Sequence, residues 1–584
     1  MSEKDDDLRV RPGRIRHRGG GKPKRFVHNV LRAVNKAGRG EVGAHRLGGS
    51  GRSGFGRGRA AFSRSNLLRQ QRRVVIKARI VRSSSRNARS APLTPHLAYL
   101  KRDGVTRDGA DGRMFDATGE DANDRSFAEG CQGDRHHFRF IISPEDAGEM
   151  SDLRAFTRDL MAQMETDLGT RLDWIAIDHW NTDNPHVHLL VRGVAEDGSD
   201  LVIAREYISR GLRSRAENLV SIELGPKPEQ AIRSALEREV DAERWTRLDA
   251  AIRLEADETG VIDLRPLQAA GGDPQIRRLM IGRLQRLERM GLASPAGSFQ
   301  WTVRSDAEAL LRDLGMRGDI IKTMHSALAS RHLERSTGDY VIESRATPTS
   351  IIGRLVEKGL HDELSGETYA IIDGVDGRVH HVRFDGLRAL EHAAPERGIV
   401  EVRRFGRPDE RTPTLVLVSR SDNDLTSQIT AAGATWLDHR LVGREDASFA
   451  HGGFGAEARA AVSARVDHLI EEGLARRQGQ RVILARDLLA TLRRRELDQA
   501  AAQLAGDTGL SYRPAGPDDE VVGTFRRRLN LSSGRFAMID DGLGFSLVPW
   551  SPSMERQLDR HVSGIVRADG GVDWSFRRTR DLGL

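Results

Sequence analysis

Residues 178–190 read DHWNTDNPHVHLL, a stretch that sets three histidines (His179, His186, His188) and two aspartates (Asp178, Asp183) between apolar runs. On a strand, side chains two apart share a face, so His186 and His188 point one way while Val187, Leu189 and Val191 point the other. The preceding RLDWIAIDH also reads as a strand, and the six residues WNTDNP between the two form the turn of a hairpin. Closing on that turn places His179 opposite His186, and three imidazoles then meet on one face of a sheet. Neutral imidazole is the commonest protein ligand for a metal, and three protein ligands leave positions open for substrate, as a catalytic site requires. Asp178 faces away from the trio, and Asp183 sits in the turn above it.

The elements around the hairpin fit a folded α+β domain with a mostly antiparallel sheet, expected over residues 91–245. LTPHLAYLKRDG is a short helix carrying Tyr99 and stopped by Gly104. DRHHFRFIIS is a strand by its aromatic and β-branched content; His136 and His137 at its start read as ordinary sheet histidines. Ser143 and Pro144 form an N-cap and first-turn signal for the helix that follows, which carries Leu153, Phe156, Leu160 and Met164 at steps of three and four and ends at Gly169. Two more helices are expected, over 203–224 and 228–245.

Charge is segregated along the chain. Residues 1–90 hold 25 Lys+Arg against 5 Asp+Glu, so the remaining 494 residues, with 67 basic and 79 acidic side chains, are mildly acidic. The arm is too poor in apolar residues to offset the entropy of ordering, and it reads as a disordered tail for a polyanion, nucleic acid above all. The single cysteine, Cys131, excludes an intramolecular disulfide and any cysteine-based zinc site. No apolar run approaches the ~20 residues of a bilayer span, and the N-terminal residues lack a signal peptide's apolar core. A cytoplasmic protein is expected.

Beyond residue 245 the sequence repeats itself. RLQRLERMGLA from Arg283 and RVDHLIEEGLA from Arg465 share the pattern R-[LV]-x-x-L-x-x-x-G-L-A, and each runs into a short strand-like segment, the sequence appearance of a winged helix. SGETYAIIDGVDGRVHHVRF from Ser365 and SGRFAMIDDGLGFSLVPW from Ser533 follow in the same order as hairpins of a small β-barrel. The organisation expected is a disordered arm (1–90), the α+β domain (91–245), a winged-helix-like unit (246–345), a small β unit (346–420), a second winged-helix-like unit (421–515), and a second β unit with a tail (516–584).

DHWNTDNPHVHLLVRG resembles the three-histidine motif of HUH endonucleases, most closely that of conjugative relaxases of the mobilisation-nuclease and T-DNA border endonuclease type, with His179, Asp183, His186 and His188 at matching positions. HLAYLKRDGV is similar to the segment that carries the family's nucleophilic tyrosine, which maps onto Tyr99. WLDHRLVGRE and SGRFAMIDDGLGFSLVPWSP are similar to an uncharacterised C-terminal region attached to a subset of such relaxases. The tyrosine here follows a long basic arm, whereas many relaxases carry it near the start of the chain.

The resemblance implies an HUH-type nuclease domain and a DNA strand transferase that nicks one strand at a transfer origin, forms a 5′-phosphotyrosine, and so initiates conjugative transfer. His179, His186 and His188 would hold Mg²⁺ or Mn²⁺; ligand softness alone suits three imidazoles to zinc, iron or copper. Asp183 is the expected base or orienting group for the Tyr99 phenol, whose ordinary pKa near 10 is too high for attack at neutral pH without help. Lys101, Arg102 and Arg192 are the expected phosphate contacts, and Tyr207 is the rival nucleophile among five tyrosines. DNA, accessory proteins of the nicking complex and a type IV secretion coupling protein are the implied partners. Two other readings use the same residues: a three-histidine hydrolase with no covalent intermediate, and a non-enzymatic tandem winged-helix DNA-binding protein whose histidines clip a structural metal.

Overall fold

The histidine hairpin belongs to a four-stranded antiparallel sheet whose first strand lies far upstream. The computed structural model describes residues 67–575 except 83–92, 102–104, 108, 181, 183, 257–259, 266–272, 345–349, 406–413, 444–447, 480 and 569. Two units divide between Arg317 and Gly318.

The first unit contains, in chain order, β1 (Val74–Arg82), α1 (Leu93–Leu100), α2 (Asp124–Gly130), β2 (His136–Pro144), α3 (Leu153–Leu168), β3 (Trp174–His179), β4 (His186–Arg192), α4 (Arg213–Leu224), α5 (Glu229–Val240), α6 (Arg247–Glu255), β5 (Val261–Asp263), α7 (Pro274–Arg289), β6 (Ala293–Gly297) and β7 (Gln300–Val303). Helix α8 (Ala307–Ala329) carries the chain into the second unit.

The sheet order is β1-β2-β4-β3. Strand β1 corrects the expectation of a disordered arm over residues 74–82; residues 1–66 and 83–90 of that expectation lie outside the described residues. In VVIKARIVR, Val74 and Ile76 are buried, with Ala78 and Ile80 packed on the same core, while Lys77 and Arg79 are exposed. One apolar face is all an edge strand needs, and an average over 90 residues hides that alternation. The strand pairs with β2 from Val74↔Pro144 to Arg82↔His136. Ser143 and Pro144 are therefore strand residues and do not cap a helix. Helix α3 starts nine residues later, where the Asp152 carboxylate accepts from the amides of Arg154 (2.7 Å) and Ala155 (3.1 Å). It ends, as expected, at Gly169, whose φ of 69° suits a residue without a Cβ.

One face of the sheet, with Phe138, Phe140, Trp174, Val187, Leu189 and Val191, packs against α3, α4 and a π-helical turn over Tyr207–Leu212. The opposite face, with Ile175, Ile177 and Leu190, packs against α1 and α2. Helix α5 belongs to a separate core: Ile232 and Leu236 pack with α6, α7 and Trp301. The sheet domain thus takes in residues from 74 and gives up α5, a change at both ends from the expected 91–245.

The second unit contains β8 (Tyr340–Ile342), β9 (Ile351–Asp362), β10 (Glu367–Gly374), β11 (Val379–Phe384), β12 (Ile399–Phe405), β13 (Thr414–Ser421), α9 (Leu425–Ile429), α10 (Trp436–Gly443), α11 (Gly453–Glu471), β14 (Ala475–Gln478), β15 (Arg481–Leu484), α12 (Leu488–Thr508), β16 (Ser511–Tyr512), β17 (Glu520–Leu531), β18 (Gly534–Asp540), β19 (Gly544–Pro549), β20 (His561–Val566) and β21 (Val572–Ser575). Its two six-stranded sheets share one topology. The orders are β8-β11-β10-β9-β12-β13 and β16-β19-β18-β17-β20-β21, and in each a short leading strand pairs in parallel at one edge while the other pairings are antiparallel. Those leading strands start the sheets at Tyr340 and Ser511, ahead of the expected 346 and 516.

The helices preceding each sheet repeat as well, down to single atoms. Arg283 and Arg465, which open the two sequence repeats, are both fully buried. The Arg283 guanidinium grips Asp249 (2.8 and 2.9 Å) and donates to the carbonyls of Val240, Ala242 and Arg244. The Arg465 guanidinium grips Asp438 (2.9 and 3.0 Å) and donates to those of Ile429, Ala431 and Gly433. All five donors of each are spent, which is how a buried arginine escapes the cost of an unsatisfied charge. Thr246 and Thr435 close the clasp, each hydroxyl donating to the same aspartate at 2.6 and 2.8 Å. Both arginine helices then stop at a glycine with positive φ, Gly291 at 72° and Gly473 at 70°. Among the described residues no helix is long and apolar enough to cross a membrane.

Candidate metal centre

The register β3–β4 pairs His179 with His186 and Ile177 with His188, so all three histidines fall on one face, as the spacing required. Their ring centroids lie 4.5, 4.9 and 5.5 Å apart and all three are buried. One nitrogen from each ring lies within 4.8 Å of the other two. His186 Nδ1 donates to the Asn184 carbonyl at 2.9 Å, which fixes its tautomer and turns the Nε2 lone pair toward His188 Nε2, 3.1 Å away. His179 Nε2 donates to the Leu100 carbonyl at 2.8 Å and keeps its lone pair on Nδ1. Three converging imidazoles, two of them (His179 and His186) oriented by an outer N–H bonded to a backbone carbonyl, supply the donor set and part of the outer shell of a divalent metal site, and the residues fit the ion.

The sheet's other face ties β3 to its neighbours through an ion-pair network. Asp178, which points away from the trio, accepts from Arg154 Nε at 2.9 Å and from the Trp180 indole at 2.7 Å. Arg154 also reaches Glu120 at 2.8 Å, and Arg158 reaches the same carboxylate at 2.7 Å. Both arginines hold the Glu120 carboxyl below its ordinary range. The C-terminal end of β3 is thereby tied to α3.

Helix α1 lies on the histidine face. Leu93, Leu97 and Leu100 pack against Ile175, Ile177 and Leu190, and the Leu100 carbonyl is the acceptor for His179. Tyr99, half-buried, is the residue immediately before it, one Cα step of about 3.8 Å away. The structure thus brings the tyrosine helix to the histidines. Tyr207 is held elsewhere: its side chain is buried, and its phenol donates to Asp167 at 3.0 Å. Burial, then the Asp167 charge, pushes that phenol well above its ordinary pKa, the opposite of what a nucleophile needs.

The expected phosphate contacts fare unevenly. Arg192 is spent inside the fold, bonding Asp134 twice at 2.9 Å, Asp173 at 3.0 Å and the Gly130 carbonyl at 2.9 Å; the hydrogen bonds to Asp134 are the main reason its pKa is raised. Two carboxylates pair with it. Lys101 pairs with Asp124 at 2.6 Å. Arg102 and Asp183 lie outside the described residues.

A basic stripe escaped the sequence reading because it sits on the unforeseen strand. The registers place Lys77 and Arg79 of β1 and Arg139 of β2 on the histidine face, with Ile141 beside His188. Lys77 and Arg79 are exposed. Burial and neighbouring Arg79 lower the Arg139 pKa to about 10, while burial and Arg139 hold His137 at about 4, where it is neutral and accepts from Arg139 Nε at 3.1 Å. The alternation in VVIKARIVR was the signal.

The fold and site define a mixed α/β protein with a buried trio of imidazoles on an antiparallel sheet, followed by a duplicated helix-and-sheet region. The chain belongs to the family described as a protein of unknown function (DUF3363), which matches residues 280–413 and 408–583, a little over half of its length. The matched segments cover most of the duplicated region and leave the histidine sheet outside. No curated protein matches the chain.

Proposed function

We propose that the protein is a metal-dependent DNA strand transferase of the relaxase type, which nicks one strand through Tyr99 and starts conjugative transfer of that strand. The observation that carries this reading is the bond from His179 to the Leu100 carbonyl, which seats the tyrosine helix on the imidazole face. Lys77 and Arg79 on the same face support an anionic polymer as substrate. A phosphodiester resists nucleophiles because its oxygens are anionic, and a bound Mg²⁺ or Mn²⁺ supplies the neutralising charge. His179, His186 and His188 would hold that ion. The Tyr99 oxygen forms a bond to phosphorus, its proton passes to Asp183, and the bond to the 3′-oxygen breaks as that oxygen takes up a proton. One phosphodiester replaces another, so rejoining needs no ATP.

The test is incubation of the full-length protein with supercoiled DNA carrying the region that flanks its own coding sequence, with Mg²⁺ or Mn²⁺, then protease treatment and denaturing gels. A nicked strand with a peptide-blocked 5′ end is expected, lost in Tyr99→Phe and in His186→Ala/His188→Ala while DNA binding persists. Nicked strands with a free 5′-phosphate would assign a hydrolase. Binding without cleavage under any metal would assign the non-enzymatic reading, and either result overturns the proposal.

A further inference from the structure

The duplication provides an internal control for surface charge. Two hairpins occupy the same place in the two copies: β6–β7 after Gly291 and β14–β15 after Gly473. Scaffold requirements are shared, since both follow a helix anchored by the same buried arginine clasp. Their surfaces are not shared. From Ala475 to Glu496 the second copy carries seven arginines and two acids, whereas from Ala293 to Leu314 the first carries two arginines and three acids. The first copy's pair are also neutralised locally, Arg304 by Asp306 at 2.7 Å and Arg312 by Glu308 at 2.8 Å. In the second copy Arg477 meets Asp467 at 2.5 Å and Arg495 meets Glu472 at 3.6 Å. Arg476, Arg481, Arg486 and Arg494 are exposed and have no carboxylate partner among the described residues. Cross-strand register puts Arg476 and Arg481 on the same face of the hairpin. A fold that is built in the first copy without these cations does not need them for stability, and their mutual repulsion costs free energy.

We propose that the hairpin β14–β15 and the first turns of α12 form a docking surface for the phosphate backbone of double-stranded nucleic acid. Charge selects a polyanion, and the absence of any aromatic residue between Ala475 and Arg495 selects duplex over single strand, because unpaired bases are held mainly by stacking on aromatic rings. A two-stranded ribbon also fits the width of a duplex groove. This surface is independent of the phosphodiester chemistry proposed for the histidine face.

The test uses full-length protein without divalent metal, and anisotropy of labelled duplex DNA, duplex RNA and single-stranded DNA across a salt series. Arg476→Glu/Arg481→Glu is expected to weaken duplex binding about tenfold and to lower the slope of log K against log salt by about 2, the effect of two lost phosphate contacts. Ser294→Glu/Ala296→Glu, the same charge placed on the first hairpin, is expected to change neither. A photo-crosslinking residue at Gln478 is expected to capture duplex, and one at Ala296 is not. DNA and RNA duplexes separate the two sources of the same phosphate chemistry. An unchanged slope with no crosslink at 478, or an equal loss on single strands, would each overturn the proposal. Persistence of the slope difference in His186→Ala separates this surface from the catalytic site.

Discussion

The two copies of the helix-and-sheet unit agree where they are buried and disagree where they meet solvent. Thr246–Asp249–Arg283 and Thr435–Asp438–Arg465 make the same bonds to the same kinds of atoms, and the two sheets share one strand order. Between Gly291 and α8 stands an uncharged hairpin, and between Gly473 and α12 a basic one, on that common frame. Interior chemistry was held by the cost of an unpaired buried charge, whereas the exterior was free to diverge. The first copy's sheet also carries a device that the second lacks: His380 lies between Glu343 (2.7 Å to Nδ1) and Asp376 (3.1 Å to Nε2), while the paired strands β18 and β19 contain no histidine.

Breaking the clasp should have the largest effect. Arg283→Met and Arg465→Met each leave a buried aspartate without its counter-ion, and a loss of about 3–5 kcal/mol is expected from either, read by denaturant unfolding or by protease susceptibility. Sensitivity in one copy alone would mean that the two clasps are equivalent in geometry but not in energy. A smaller loss, about 1 kcal/mol, is expected from Thr246→Ala or Thr435→Ala, since each removes a helix-capping hydroxyl and keeps the ion pair. The smallest effect sharpens the contrast between the sheets. Burial lowers the His380 pKa, but the hydrogen bonds and charges of Asp376 and Glu343 outweigh it and leave it raised above the ordinary value. The stability this contributes is fully present below the ordinary histidine pKa of about 6.5 and is lost as pH rises through the raised value. His380→Gln should remove that dependence from the first sheet, measured by hydrogen exchange of β11 against pH, and leave β19 unaffected.

Local pattern made the histidine hairpin readable: period-two alternation fixed the shared face, and the turn fixed His179 opposite His186. Pairing between distant segments was not readable by the same means. Ser143 and Pro144 look like a helix start until β1 is known to lie beside them, and β1 itself was submerged in the charge of the residues around it. Repetition showed the duplication through the R-[LV]-x-x-L pattern, but not that the arginine is interior, because an arginine in an amphipathic helix normally reads as a solvent-facing residue. The words TRLD at 246–249 and TWLD at 435–438 were the missing clue, a threonine cap and an aspartate three residues on, in both copies. The ion pairs of Arg192 were unreadable for the converse reason: its partners Asp134 and Asp173 lie 58 and 19 residues away, and no local spacing announces them.

Strands β10 and β18 bury nearly the same triplet, Ala370–Ile371–Ile372 and Ala537–Met538–Ile539, at the same place in sheets of identical order. A polypeptide emerging from denaturant therefore offers each of these segments two acceptors of almost equal complementarity, one correct and one belonging to its twin. Mispairing of this kind is a characteristic hazard of tandem homologous units. Recovery on refolding will consequently depend on how quickly the earlier copy closes before the later one becomes available, which favours synthesis from the N-terminus over simultaneous release of the whole chain.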